Sequence, residues 1–233
     1  MALNHASKNR LLAVLPAEEY QRLLPSLEVL PMGLKDVLYE PYKPIEYVYF
    51  PLAGMASMLA VLENNTLVEV GTVGNEGMVG IPIFLGTDQT SILSFWQVPG
   101  EAARMEAKTL QAEIKRGGPL IYALQRYTQA LFVMLAQHTA CNRLHNIQQR
   151  AARWMLMTQD RVHSDEFSLT QEFLSQMLGV RRAGVNEIMR QFQEAGWLRY
   201  RRGIITILDR SGLEKAACEC YYIIKAEYDR MFD

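Results

Sequence analysis

Between residues 120 and 159 the chain carries neither glycine nor proline, and this run limits the possible folds more than any other feature. A stretch without either helix breaker is free to continue as one long helix. Within it Leu120, Leu124, Tyr127, Leu131, Met134, His138 and Cys141 follow alternating steps of four and three. A heptad-type stripe of this kind favours a bridging, dimerising helix with one seam facing a partner; a core helix packed within its own chain is the alternative. The "RGGP" at residues 116–119 marks where the helix begins, with Pro119 suited to its first turn.

Upstream, the pattern is strand-like. "PAEEYQRLLP" predicts a short opening helix with Pro16 at its first turn. After it "YVYF", "MASMLAVL", "TLVEVGTV" and "ILSFWQV" are separated by glycine, proline and asparagine, which predicts several short strands forming a sandwich or barrel over residues 28–107. "ENNT" at residues 63–66 reads as a hairpin turn, and "TLQAEIK" as a short helix. Gly71, Gly74, Gly77 and Gly80 read as turn residues. Downstream of the long run, "VHSDEFS" reads as a polar link into a second domain.

A net charge of −1 excludes a chain that binds polyanions through bulk charge. The distribution is uneven: 10 basic and 13 acidic residues precede Arg143, against 14 and 12 from Arg143 onward. Arg181, Arg182, Arg190, Arg199, Arg201 and Arg202 are opposed within their stretch only by Glu187 and Glu194, so positive charge is concentrated there. Three cysteines make no disulfide framework, the opening residues show no secretory leader, and the apolar run at residues 130–136 is too short to cross a bilayer. A cytoplasmic protein with no membrane partner is expected.

The arginine-bearing stretch has its own local grammar. Thr170 is placed to cap a helix that buries Phe173, Leu174, Met177 and Leu178, and Gly179 is suited to the left-handed turn that ends it. A second helix from about Arg181 to Ala195 would bury Val185, Ile188, Met189 and Phe192, with Gly196 as its stop. Two amphipathic helices joined by a glycine turn are the signature of a helix-turn-helix. Arg181, Arg182, Ala183, Asn186 and Arg190 then lie on the outward face, where arginine can grip guanine and asparagine adenine through paired hydrogen bonds. "WLRYRRGIITIL" reads as a hairpin with Arg201, Arg202 and Gly203 at its tip, a wing that sets arginines against phosphates.

With these residues in view the chain resembles the Crp/Fnr superfamily of bacterial transcription regulators over nearly its whole length, most specifically in "LTQEFLSQMLGVRRAGVNEIM". The resemblance implies an α+β protein: an N-terminal cyclic-nucleotide-binding-like β-roll (jelly roll) over residues 1–118, a long dimerisation helix over 119–160 and a C-terminal winged helix-turn-helix over 161–233. It implies a homodimer reading a roughly palindromic site on double-stranded DNA. Arg182 matches the arginine that reads guanine, and Thr170 and Gln171 match positions near the DNA backbone. RNA polymerase and an unidentified small-molecule effector are further partners the resemblance admits. Where the familiar recognition helix carries a glutamate and a second basic residue, this chain has Ala183 and Glu187, so a different base sequence is expected. Glu187 could accept from cytosine, or pair with a neighbouring arginine.

The cyclic-nucleotide motif is absent. Gly80 is followed by Ile81 rather than glutamate, and residues 77–95 contain no lysine or arginine to balance a phosphate. Neither cAMP nor cGMP is expected, nor any other cofactor. Cys218 and Cys220 would point about 200° apart on a helix, so inert burial is expected and no metal site is assigned, with redox or metal sensing left open. His138, Cys141 and His145 are spaced to be helix neighbours, but no orienting carboxylate or oxyanion donor accompanies them, so no catalysis is expected. The reading from another class is a ligand-sensing or protein-interaction module with a degenerate DNA-binding domain.

Overall fold

The computed structural model describes residues 8–64 and 66–232. The first residues of the segment read for a secretory leader, and Asn65 in the expected hairpin turn, lie outside them. Strands β1 (Glu28–Met32), β2 (Val37–Tyr39), β3 (Tyr47–Val61), β4 (Leu67–Val73) and β5 (Ile92–Glu106) form one antiparallel sheet ordered β1-β5-β3-β4, with β2 also paired to β5. Two expected strands, "YVYF" and "MASMLAVL", are therefore one. The proline and glycine between them act as a bulge: register slips between Pro51 and Met55, and Gly54 sits at φ +82°. Gly100 faces this bulge so closely that a Cβ there would meet the Ala53 carbonyl at 2.0 Å. Nearly every residue of β3 is buried, so neither face of this central strand is left to water.

Short helices flank the sheet: α1 (Arg10–Ala13), α2 (Ala17–Leu23, with Pro16 as its N-cap), α3 (Ile81–Phe84) and α4 (Ala107–Arg116). Helix α5 (Pro119–Leu144) begins on its proline as expected. Its heptad stripe does not face a partner. All seven residues from Leu120 to Cys141 are buried against this chain's own core. Gly71 and Gly77 make that seat: a Cβ would stand 2.7 Å from the Met134 side chain at Gly71 and 2.3 Å from Tyr127 at Gly77. Gly71 lies within β4 and is no turn residue; it is the clearance that α5 requires.

The long helix also stops early. His145 adopts an extended backbone, and a new helix, α6 (Ile147–Val162), starts behind Asn146. The Asn146 side chain accepts from the Gln149 backbone at 2.9 Å while the Gln149 side chain accepts from the Asn146 backbone at 3.1 Å. This reciprocal cap satisfies donors that a continuous helix would have bonded internally, which is why the chain can break without glycine or proline. The expected single helix over 119–160 is thus two.

Helix α6 is buried along most of its length between the sheet and the C-terminal elements. Two groups of polar contacts tie it to the N-terminal domain. Arg161 pairs with Glu76 at 2.7 Å and donates to the Thr72 hydroxyl at 2.6 Å. Trp154 donates its indole N–H to Glu69 at 3.1 Å, and Ser57 donates to the same carboxylate at 2.7 Å. Beyond α6 come β6 (Glu166–Ser168), α7 (Gln171–Leu178), α8 (Arg182–Glu194), β7 (Leu198–Arg201), β8 (Ile204–Ile207), α9 (Arg210–Ala216) and α10 (Cys220–Met231). The polar link "VHSDEFS" therefore contains a strand: β6 joins β8 and β7 in a three-stranded sheet ordered β6-β8-β7. Helix α9 packs on α6, whereas α10 returns to lie along α5.

Burial pushes the Glu69 carboxyl from 4.5 up to about 7, although hydrogen bonds from Ser57 and Trp154 and the charges of Arg153 and Arg161 pull it down. A carboxyl that folding keeps protonated stabilises the native state in acid. That contribution is complete below 4.5 and is lost as pH rises through about 7. We expect Glu69 to lower the unfolding free energy by up to about 3 kcal/mol across this window. Denaturant titrations at several pH values should show that component missing in Glu69→Gln; an identical pH slope in the variant would contradict it.

Candidate nucleic-acid interface

Thr170 caps α7 by accepting from the Phe173 N–H at 3.1 Å, and Gly179, at φ +61°, ends the helix. The backbone N–H groups of Gly179 and Val180 return to the carbonyls of Gln176 and Ser175, at 3.1 and 3.0 Å. Arg150 of α6 donates to the carbonyl of Leu178, fixing the C-terminal end of α7. Phe173 and Met177 of α7 also meet the N-terminal sheet: the rings of Phe173 and Phe95 lie 5.9 Å apart, and Met177 sulfur is 3.8 Å from the Ser57 hydroxyl.

Helix α8 starts at Arg182, with Arg181 as its N-cap, and buries Val185, Ile188, Met189 and Phe192, the four residues its periodicity singled out. Its opposite face is open: Arg181, Arg182, Ala183, Asn186, Glu187 and Arg190 are exposed. The wing forms as expected. Arg201 pairs with Ile204 across a two-residue turn of Arg202 and Gly203, at φ +52° and +79°. Positive φ at both positions is the geometry that matches the twist of the flanking strands. The carbonyl of Gly203 accepts from the Leu169 N–H at 2.8 Å, tying the wing tip to the entrance of α7. Thr170 is exposed beside it and Gln171 half-buried.

Charge divides these arginines into two groups. Arg190 is held by Glu187 at 2.7 Å and by Glu194 at 2.6 Å on its own helix. The pairing offered as the alternative for Glu187 is the one present, and Gln191 donates to the same carboxylate at 2.8 Å. Among the described residues no carboxylate is paired with the side chains of Arg181, Arg182, Arg199, Arg201 or Arg202. Four of them stand at the start of α8 and the tip of the wing.

The other residues singled out in the sequence fall elsewhere. Gly80, at φ +102°, caps the short α3. A cavity of about 510 Å³ opens where the sheet, α6, α9 and α10 meet. Each of its four cations already faces a carboxylate: Arg10 with Asp229, Arg161 with Glu76, Arg210 with Asp160, and Lys225 with Asp229. His138 is buried with Nδ1 against the Val70 carbonyl at 3.0 Å, and burial drives its pKa well down. Cys141 turns instead toward Cys218, sulfur to sulfur at 3.5 Å. Cys218 lies outside any helix, between α9 and α10, so the expectation that Cys218 and Cys220 diverge does not hold. No periodicity could have shown this, because the link between α9 and α10 sets the direction of both side chains.

Known proteins agree with this geometry. Residues 149–216 match the family of the Crp-like helix-turn-helix domain, a span that starts within α6 and ends with α9. No curated protein matches the chain in sequence. Among solved structures, FixK2 from Bradyrhizobium japonicum is 14% identical, with TM-score 0.70 over 82% of this chain and 98% of that one. The c-di-GMP responsive global regulator CLP of Xanthomonas campestris is 15% identical, with TM-score 0.65 over 82% and 99%. A CRP-family transcriptional regulator of Thermus thermophilus is 15% identical, with TM-score 0.66 over 81% and 96%. No described helix is long and apolar enough to cross a membrane. Residues 149–216 thus match the Crp-like helix-turn-helix domain family, and the chain as a whole shares the fold of these solved proteins.

Proposed function

We propose that the chain is a DNA-binding transcription regulator that acts as a homodimer and reads a roughly palindromic site. The observation that carries this reading is the pair of exposed arginines, Arg181 and Arg182, at the first turn of α8 with no carboxylate partner. A recognition helix touches base edges through its N-terminal residues. Arg182 would take guanine O6 and N7, and Asn186 an adenine edge. Thr170, Gln171, Arg201 and Arg202 would hold phosphates and set the register. Arg190, engaged by two carboxylates, would contribute less than Arg182 unless it exchanged them for DNA.

The dimer surface moves to the face of α5 opposite the buried stripe. Phe132 is 61% exposed, and Ala136 and Ala140 continue its i+4 row to Leu144, 75% exposed. Gln125, Gln129, Phe132, Ala136, Thr139 and Arg143 follow steps of four and three along this face, the spacing for a paired helix. Pairing there would carry two recognition helices about 34 Å apart, one DNA turn. A cyclic nucleotide would be poorly balanced as effector, because residues 77–95 carry no lysine or arginine and the cations lining the cavity face carboxylates.

Selection of bound sequences from random DNA with the purified protein tests the reading; it is expected to return a two-fold symmetric motif, and recovery of no motif would count against it. Arg182→Ala should weaken the selected site by about 1–3 kcal/mol and relax preference at one base position per half-site. Affinity should fall steeply with salt as neutralised phosphates release counterions. Phe132→Glu is expected to shift the protein from dimer to monomer in analytical ultracentrifugation and to weaken DNA binding with it. A variant that stays dimeric would place the interface elsewhere.

A further inference from the structure

Cys141, His145, Cys218 and Cys220 come together from two distant stretches of chain, with one ligand-type atom of each lying within 4.8 Å of every other. We propose that these four residues bind a single zinc ion. Their spacing is what one tetrahedral ion requires. Zinc–sulfur bonds of about 2.3 Å at tetrahedral angles put two thiolate sulfurs about 3.8 Å apart, and a sulfur and an imidazole nitrogen about 3.6 Å apart. Cys141 and Cys218 sulfurs lie at 3.5 Å, and Cys220 sulfur lies 3.6 Å from His145 Nδ1. An iron–sulfur cluster would spread its ligands over several iron atoms and hold them wider than this. Three thiolates and one imidazole also make up a common closed zinc set, and soft sulfur donors select zinc over the hard divalent cations.

Two further observations point to the same ligand. The first is the far side of the histidine. With Nδ1 turned to the cysteines, Nε2 lies 3.3 Å from the Glu219 carboxylate. A carboxylate behind a ligating imidazole fixes its tautomer and raises its basicity, and this is the usual support of a metal-bound histidine. The second is Arg153, 4% exposed, with Nε lacking a partner and its charge within reach of Cys141 and Cys220. Among the described residues no carboxylate pairs with it. A buried guanidinium requires a nearby negative charge. Glu69 lies within reach of the same charge, and zinc with three thiolates and a neutral imidazole, at −1, would add a negative charge on the cysteine side. On binding, hydrated zinc displaces the three thiol protons to solvent, and His145 keeps its proton on Nε2, toward Glu219.

The local fold explains why the four converge. Cys141 occupies the last turn of α5, and the break after Leu144 leaves His145 as the cap of that helix. Cys218 lies in the link after α9, and Cys220 opens α10. The site therefore spans both places where the chain passes between the body built on α5 and α10 and the domain that runs from α6 to α9. Zinc there would clamp the two crossings to each other. The three cysteines are almost wholly buried, and His145 is 16% exposed, so all four positions of the ion are taken by protein. The ion would fix structure and would not present an open coordination position for catalysis.

Cobalt substitution tests this without reference to DNA. Wild-type protein prepared under reducing conditions and stripped with a chelator is expected to take up one cobalt per chain. It should show thiolate-to-cobalt charge transfer and tetrahedral d–d bands, all lost on adding zinc. Cys218→Ser and Cys220→Ser should lose the charge-transfer intensity. Because those variants can also fail to fold, Glu219→Gln, at an exposed position, provides the second reading: zinc affinity falls about 10–100-fold with an unchanged circular dichroism spectrum. A wild type without the charge-transfer band, full intensity in the cysteine variants, or unchanged zinc affinity in Glu219→Gln would overturn the assignment. So would a Cys141–Cys218 disulfide as the resting form, read as loss of two free thiols in the untreated protein.

Discussion

The architecture depends on how α6 is fastened to the N-terminal sheet. Arg161 and Glu76 are each about 6% exposed in their side chains, and Thr72 completes the guanidinium's bonds. Taking two charges out of water is costly, and their attraction offsets that cost only when geometry and hydrogen bonding are both good. Removing one partner of such a pair typically costs about 3–5 kcal/mol, because the other charge is stranded. The pair therefore acts more as a specifier than as glue: few arrangements of α6 on the sheet keep both groups satisfied. Trp154 on Glu69 adds a second fixed point two turns earlier, and between them the angle of the C-terminal domain is set.

The helix-turn-helix was legible because its determinants are local. The Thr170 cap, the left-handed Gly179, the four buried apolar positions of α8 and the Arg202-Gly203 turn each follow from residues within a few places of one another. The long helical run was legible only in part. Periodicity tells which side of α5 is apolar but not what covers it, and the sheet supplied the cover through the clearance left by Gly71 and Gly77. The helix break also has a local signal. Asn146 followed three places later by Gln149 has the spacing of a capping box, and it ends one helix and starts another without any breaker residue.

What sequence could not supply were encounters between distant segments. Cys141 and Cys218 are 77 positions apart, and Trp154 and Glu69 are 85 apart. Local pattern says nothing of either. The same holds in reverse for Arg190, whose outward position was foreseen but whose pairing with Glu187 and Glu194 left it less available than its neighbours. A count of arginines overstates the free positive charge on this face. The paired carboxylates decide which of them remain for another molecule.

Strand β6 has a mechanical consequence. It leaves the end of α6 after only a short corner at His163 and at once becomes the outer strand of the wing's sheet, with Phe167 opposite Ile205 and its ring 6.4 Å from that of Trp154. The hairpin is therefore not hung on a slack tether. Its ladder is stitched to a segment that starts at the helix itself, so tilting α6 must carry the arginine-tipped hairpin with it or tear backbone hydrogen bonds. A rotation of α6 would reach the hairpin through three residues of chain and one β-ladder.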